Sequence, residues 1–138
     1  MSSDFYDLTR GDTLSPIPLR VRPGEASAYL NATGESREHW ADTIPPLIPG
    51  VFVLAVMMEQ ISLPPGALHT GQEFEFLRAT QPDEPLEVQI RVAQHSERQG
   101  NVILTLTFEL HPPGSPADQV LRGRSTVIAP ARNTTAVS

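Results

Sequence analysis

His39 and Trp40 stand just ahead of Pro45, Pro46 and Pro49, and the most apolar stretch of the chain opens at Gly50. The carboxylates of Glu35 and Asp42 flank the imidazole of His39, four residues before it and three after. Imidazole changes its charge near neutral pH, and the start of a helix offers unpaired backbone N–H groups at a positive dipole end. The spacing therefore describes a polar site built against the entrance of a buried helix, suited to holding a carbonyl oxygen or an anion. Pro49, Gly50 and Val51 are the residues of that entrance.

Other chemistries are removed by composition. With no cysteine, the chain has no thiolate nucleophile, disulfide or zinc-thiolate site, which fits a reducing compartment. All ten basic residues are arginine, so a Schiff-base lysine is excluded. Ser27, Ser36 and Ser62 lack the glycine-flanked turn of a nucleophile elbow. His69, His95 and His111 show no metal-ligand spacing, so no metal is expected. A net charge of −6 with scattered arginines argues against nucleic acid and anionic membranes as partners. The pairs Arg20/Arg22 and Arg122/Arg124 are most simply solvated strand faces, with a small basic spot for a phosphate or an acidic carrier protein as the functional alternative.

The elements that must position the site follow from periodicity. Residues 17–22 alternate as an edge strand ending at Pro23 and Gly24, and residues 25–33 have helical spacing before Gly34. From 50 to 61 nearly every position is apolar, predicting a helix buried nearly all round, stopped by Pro64, Pro65 and Gly66. Everything later reads as strand: 68–77 with Phe74 and Phe76 between glutamates, 86–92, 102–110 and 119–128. Residues 81–85 and 98–101 are turn chemistry, the second short enough for a hairpin, so the strands should meander antiparallel. At 138 residues and 39% hydrophobic, one α+β domain is expected, its sheet wrapped around the helix, with an N-terminal arm at 1–15 and a flexible tail at 131–138. The apolar run from 47 to 58 is too short to cross a bilayer, and the polar, acidic first residues are unlike a secretion signal, so a cytoplasmic protein is expected.

In this order of elements the chain resembles the hot-dog fold, and within it the MaoC-like thioester hydratases and dehydratases, over residues 19–130. The resemblance rests on the first strand at 19–21, the short helix before Gly34 and Glu35, the loop with His39, the helix led by Gly50, the aromatic-and-Arg strand at 74–78, and the turn at Pro82 and Asp83. LRGRSTV at 121–127 is similar to the family's sheet. PLIPGV at 46–51 also looks like the P-x-M-P-G-V segment of bacterial β-hydroxyacyl dehydratases, whose helix carboxylate falls here on Ala55.

That resemblance implies a base that removes a proton beside a thioester carbonyl, a donor to the departing hydroxyl, and backbone N–H groups holding the enolate-like oxygen. GESREHW at 34–40 stands where the family places G-D-x-N-P-x-H, so Glu35 takes the Asp position and His39 the His position once one residue is removed. Trp40, Pro49, Gly50 and Val51 are then the substrate-binding candidates. The implied substrate is a 3-hydroxyacyl chain on acyl carrier protein or coenzyme A, with no cofactor. The implied assembly is a homodimer, or a heterodimer with a second hot-dog subunit in which this chain is the competent or, given the altered motif, the catalytically deficient member. A hot-dog thioesterase using Asp42 or Glu38 with water, and a non-catalytic acyl-binding subunit, are the alternatives.

Overall fold

Leu86, Val88, Ile90 and Val92 alternate with polar residues, and period-two alternation turns one face of a strand toward the core. All four are buried, 3% exposed or less. The computed structural model describes residues 3–25, 44 and 47–132. Its strands are β1 (Ser3–Asp4), β2 (Ile17–Leu19), β3 (Ile61–Ser62), β4 (Leu68–Phe76), β5 (Leu86–Arg98), β6 (Asn101–His111) and β7 (Leu121–Pro130), with one long helix, α1 (Leu47–Gln60).

Five of these strands form an antiparallel sheet in the order β2-β5-β6-β7-β4. Of the strands in this sheet, the two nearest α1 in sequence, β2 and β4, lie at opposite edges, so the chain must carry the helix across the sheet between them. Val53 and Met57 of α1 are fully buried in one core with Val88, Ile90, Leu104 and Leu106. The sheet and helix expected from periodicity are therefore present as an α+β domain.

Two details depart from the sequence expectation. The helix starts at Leu47, three residues before Gly50, and ends at Gln60, where Ile61 and Ser62 pair in parallel with Ser3 and Asp4. It is also not buried all round: Val51, Ala55 and Glu59, spaced four apart, form an exposed stripe. Uniform apolarity hid that stripe, because Val51 and Ala55 are not polar.

The hairpin between β5 and β6 turns on Gln99 and Gly100, both with positive φ (51° and 79°), the geometry that matches strand twist in two-residue loops. Phe5 and Leu8 are buried in the main core. Residues 11–14 continue along β5, with Gly11 N–H donating to Val92 O (2.8 Å) and Leu14 N–H to Ile90 O (2.9 Å). Tyr6 Oη donates to Pro130 O at 2.6 Å, and the Arg132 guanidinium lies 4.7 Å over the Tyr6 ring.

Candidate active site at the helix entrance

The segment that leads into α1 is held by a small core of its own. Ile44 and Ile48, each 1% exposed, pack with Val21 and with the partly buried Phe52. Ile44 pairs in antiparallel fashion with Thr80, Ile44 N–H donating to Thr80 O (2.7 Å) and Thr80 N–H to Ile44 O (3.2 Å). Asp83 N–H donates to Val21 O at 2.9 Å. The turn after β4 thus fixes both the end of the first strand region and the approach to the helix. The buried hydroxyl of Thr80 has no hydrogen-bond partner among the described residues.

That turn is itself clamped by Arg78. Its guanidinium forks onto Glu84 (2.8 and 3.3 Å) and onto Asp118 (2.9 and 3.2 Å), and also donates to Ala79 O at 3.1 Å. Glu84 Oε1 in turn accepts Gln81 N–H at 3.1 Å. The hydrogen bond from Arg78, ahead of a smaller opposing effect of burial, holds the Glu84 carboxyl below its ordinary range. A carboxylate whose pKa is depressed by folding stabilises the fold above the ordinary carboxylate range, and the contribution disappears as pH falls through the depressed value. Arg78→Ala is expected to lose about 1–2 kcal/mol at neutral pH, because both partners are only partly buried. Urea unfolding of wild type and variant should show the gap narrowing in acid; a pH-independent gap would mean the guanidinium acts through packing alone.

Of the residues singled out by sequence, Pro49, Gly50 and Val51 lie in the first turn and a half of α1. Pro49 and Gly50 are buried, whereas Val51 is 45% exposed. Proline has no N–H, so in this turn Leu47, Ile48 and Gly50 carry the backbone donors. A Cβ on Gly50 would lie in ordinary contact with the rings of Phe76 (3.4 Å) and Phe74 (3.5 Å), which stack at 5.4 Å. The aromatic pair therefore packs beside the first turn of the helix at Gly50. His39, Glu35, Asp42 and Trp40 lie outside the described residues.

The clamp and the Ile44–Thr80 pairing are site features that sequence reasoning did not find. Single β-bridges leave no periodic signal, and Thr80 carries no chemistry of its own. Among the described residues no group of His, Asp and Glu could hold a metal ion, and no helix is long and apolar enough to cross a membrane.

No protein-family model matches the sequence, and no curated protein is significantly similar to it. Solved structures are similar in shape across nearly the whole chain. An R-hydratase from Pseudomonas aeruginosa superposes with a TM-score of 0.69 at 15% identity, over 93% of this chain and 86% of that one. A MaoC-like dehydratase from Rhodospirillum rubrum gives 0.74 at 17% identity, over 92% and 96%. A chain of the 3R-hydroxyacyl-ACP dehydratase complex of Mycobacterium tuberculosis gives 0.66 at 16%, over 90% and 99%. The fold of this chain is the hot-dog fold, in the MaoC-like arrangement.

Proposed function

We propose that the chain is a hydro-lyase subunit that removes water from, or adds it to, a 3-hydroxyacyl thioester carried by acyl carrier protein or coenzyme A. The observation that carries this reading is the pinned entrance of α1. Ile44, five residues after His39 in sequence, is locked to Thr80 beside the start of α1 in a hot-dog fold, which supports placing the family's histidine at this entrance. In this reading His39 exchanges the proton beside the carbonyl, Glu35 or Asp42 serves the departing hydroxyl, and backbone N–H groups of the first helical turn hold the developing oxyanion. Trp40 and Val51 contact the acyl chain.

Val51 and Phe76, 45% and 44% exposed beside the start of α1, support assembly with a second hot-dog subunit, since large apolar groups left together on a surface mark contacts. Two structures of similar shape, both from Mycobacterium tuberculosis, are complexes. One feature favours a second reading, in which this chain is the non-catalytic member of a heterodimer: α1 carries no acid in its first turn, and its one acid, Glu59, is exposed in the last.

The test is mass spectrometry of a 3-hydroxyacyl carrier-protein thioester incubated with the purified chain. Loss of one water supports the first reading. An unchanged substrate in the presence of folded protein favours the second, and release of free thiol would instead identify a thioesterase.

Gly50 offers a separate test. Alanine there would meet the Phe76 and Phe74 rings at ordinary contact distances and removes a glycine from a helix, so Gly50→Ala should keep or raise stability, by up to about 1 kcal/mol. A fall in turnover at unchanged melting temperature would assign Gly50 to thioester approach; equal turnover would leave it with aromatic packing alone.

A further inference from the structure

On the face of the sheet turned away from α1, a cleft of about 950 Å³ is lined by side chains from the arm and from β4 to β7. Its residues fall into rows set by strand register. Thr13, Arg91, Thr107, Arg124 and Glu73 stand side by side, each opposite the next on a neighbouring strand. Gln89, Glu109, Arg122 and Glu75 form the adjacent row.

The charges of the cleft are unevenly paired. Arg122 is bound to Glu75 at 2.6 Å, and Glu109 accepts Gln119 Nε2–H at 2.7 Å. Among the described residues, the guanidinium groups of Arg91 and Arg124 have no hydrogen-bonding or ion-pair partner, and both are exposed. Arg91 and Arg124 straddle Thr107 across two strand spacings, about 10 Å between their Cα atoms. Long side chains at that separation can converge above the hydroxyl between them. Converged in this way, two planar forks and one hydroxyl would supply several N–H and O–H donors, the donor set that matches phosphate oxygens. Glu73, at the end of the row, confines an anion to the Arg91–Thr107–Arg124 stretch by repulsion.

We infer that this cleft binds a phosphate group, held between Arg91 and Arg124 with the Thr107 hydroxyl beneath it, at a site on the opposite side of the sheet from the helix entrance. Free phosphate and the phosphate of a small organic ester share this chemistry, and the remainder of the cleft offers room for an organic portion.

The experiment is a titration of the full chain with inorganic phosphate and, in parallel, with phenyl phosphate, followed by calorimetry and by the arginine Nε–H signals in NMR. Saturable shifts of Arg91 and Arg124 that spare Arg20 are expected, with tighter binding of the ester if its organic part also contacts the cleft. Arg91→Gln and Arg124→Gln should each weaken binding about tenfold or more. Both positions are exposed, so the variants should fold; Thr107→Val gives an uncharged third test. Shifts linear in concentration and common to all arginines, or affinity unchanged in the variants, would overturn the inference.

Discussion

Replacing His39 by alanine is expected to slow dehydration of a 3-hydroxyacyl thioester by roughly 10²- to 10⁴-fold, the usual worth of a positioned acid or base. The expectation follows from what the site lacks elsewhere. The first turn of α1 contains no acid, and Ala55 stands where the resemblance to bacterial β-hydroxyacyl dehydratases would place a helix carboxylate. The first turn of α1 thus supplies backbone donors and apolar surface but no acid or base of its own, and on the proposed reading proton transfer falls to the segment that carries Glu35, His39 and Asp42. Turnover by mass spectrometry, alongside circular dichroism to establish folding, decides the matter. A variant that dehydrates as fast as wild type would remove His39 from the mechanism and shift attention to the two carboxylates.

Gly123→Val is expected to be the most damaging single change to the fold, lowering stability by about 3 kcal/mol or more and the melting temperature by about 10 °C. Gly123 sits on the helix-facing side of β7, opposite Phe108 on β6 and Phe74 on β4. A side chain there would collide with the backbone oxygen of Glu73 and with Phe108 Cζ, 2.6 Å away. The Phe108 ring fills the space over the glycine and meets Phe74 edge-on at 5.6 Å. A backbone atom cannot step aside as a flexible side chain can, so relief requires β4 to part from β7. Gly71→Ala is the matched control, since its nearest neighbour would be 3.7 Å away. Equal melting temperatures for the two variants would show that β4 yields easily.

How much of this was legible in the sequence depended on whether a residue's role repeats along the chain. Leu86 to Val92 and Val102 to Leu110 are buried on alternate positions as their pattern requires, and GlnGly at 99–100 adopts the left-handed hairpin turn. The ordered set of His39, Gly50, Phe74 to Arg78 and Pro82–Asp83 led to the hot-dog fold although no member is diagnostic alone. What stayed hidden acts once. Phe5 and Leu8 are core residues inside an acidic, polar arm, without a period to betray them. Arg78 could be matched to a family position, but nothing in its neighbourhood tells that Asp118, forty residues away, would share its guanidinium. Arg122 and Arg124, paired in sequence, line the same cleft but differ in pairing: one is bound to Glu75, while the other has no ion-pair partner among the described residues.

The bond from Tyr6 to Pro130 joins residues 124 apart in sequence. During synthesis the arm precedes its partners on β3, β5 and β7, the last of which lies near the end of the described chain. Phe5 and Leu8 must therefore wait, uncovered, while the strands are made. Closure of so long a loop has a high entropic cost that only the completed sheet can offset, which makes the sealing of the arm a late event in folding and the interval before it the period of greatest exposure to aggregation.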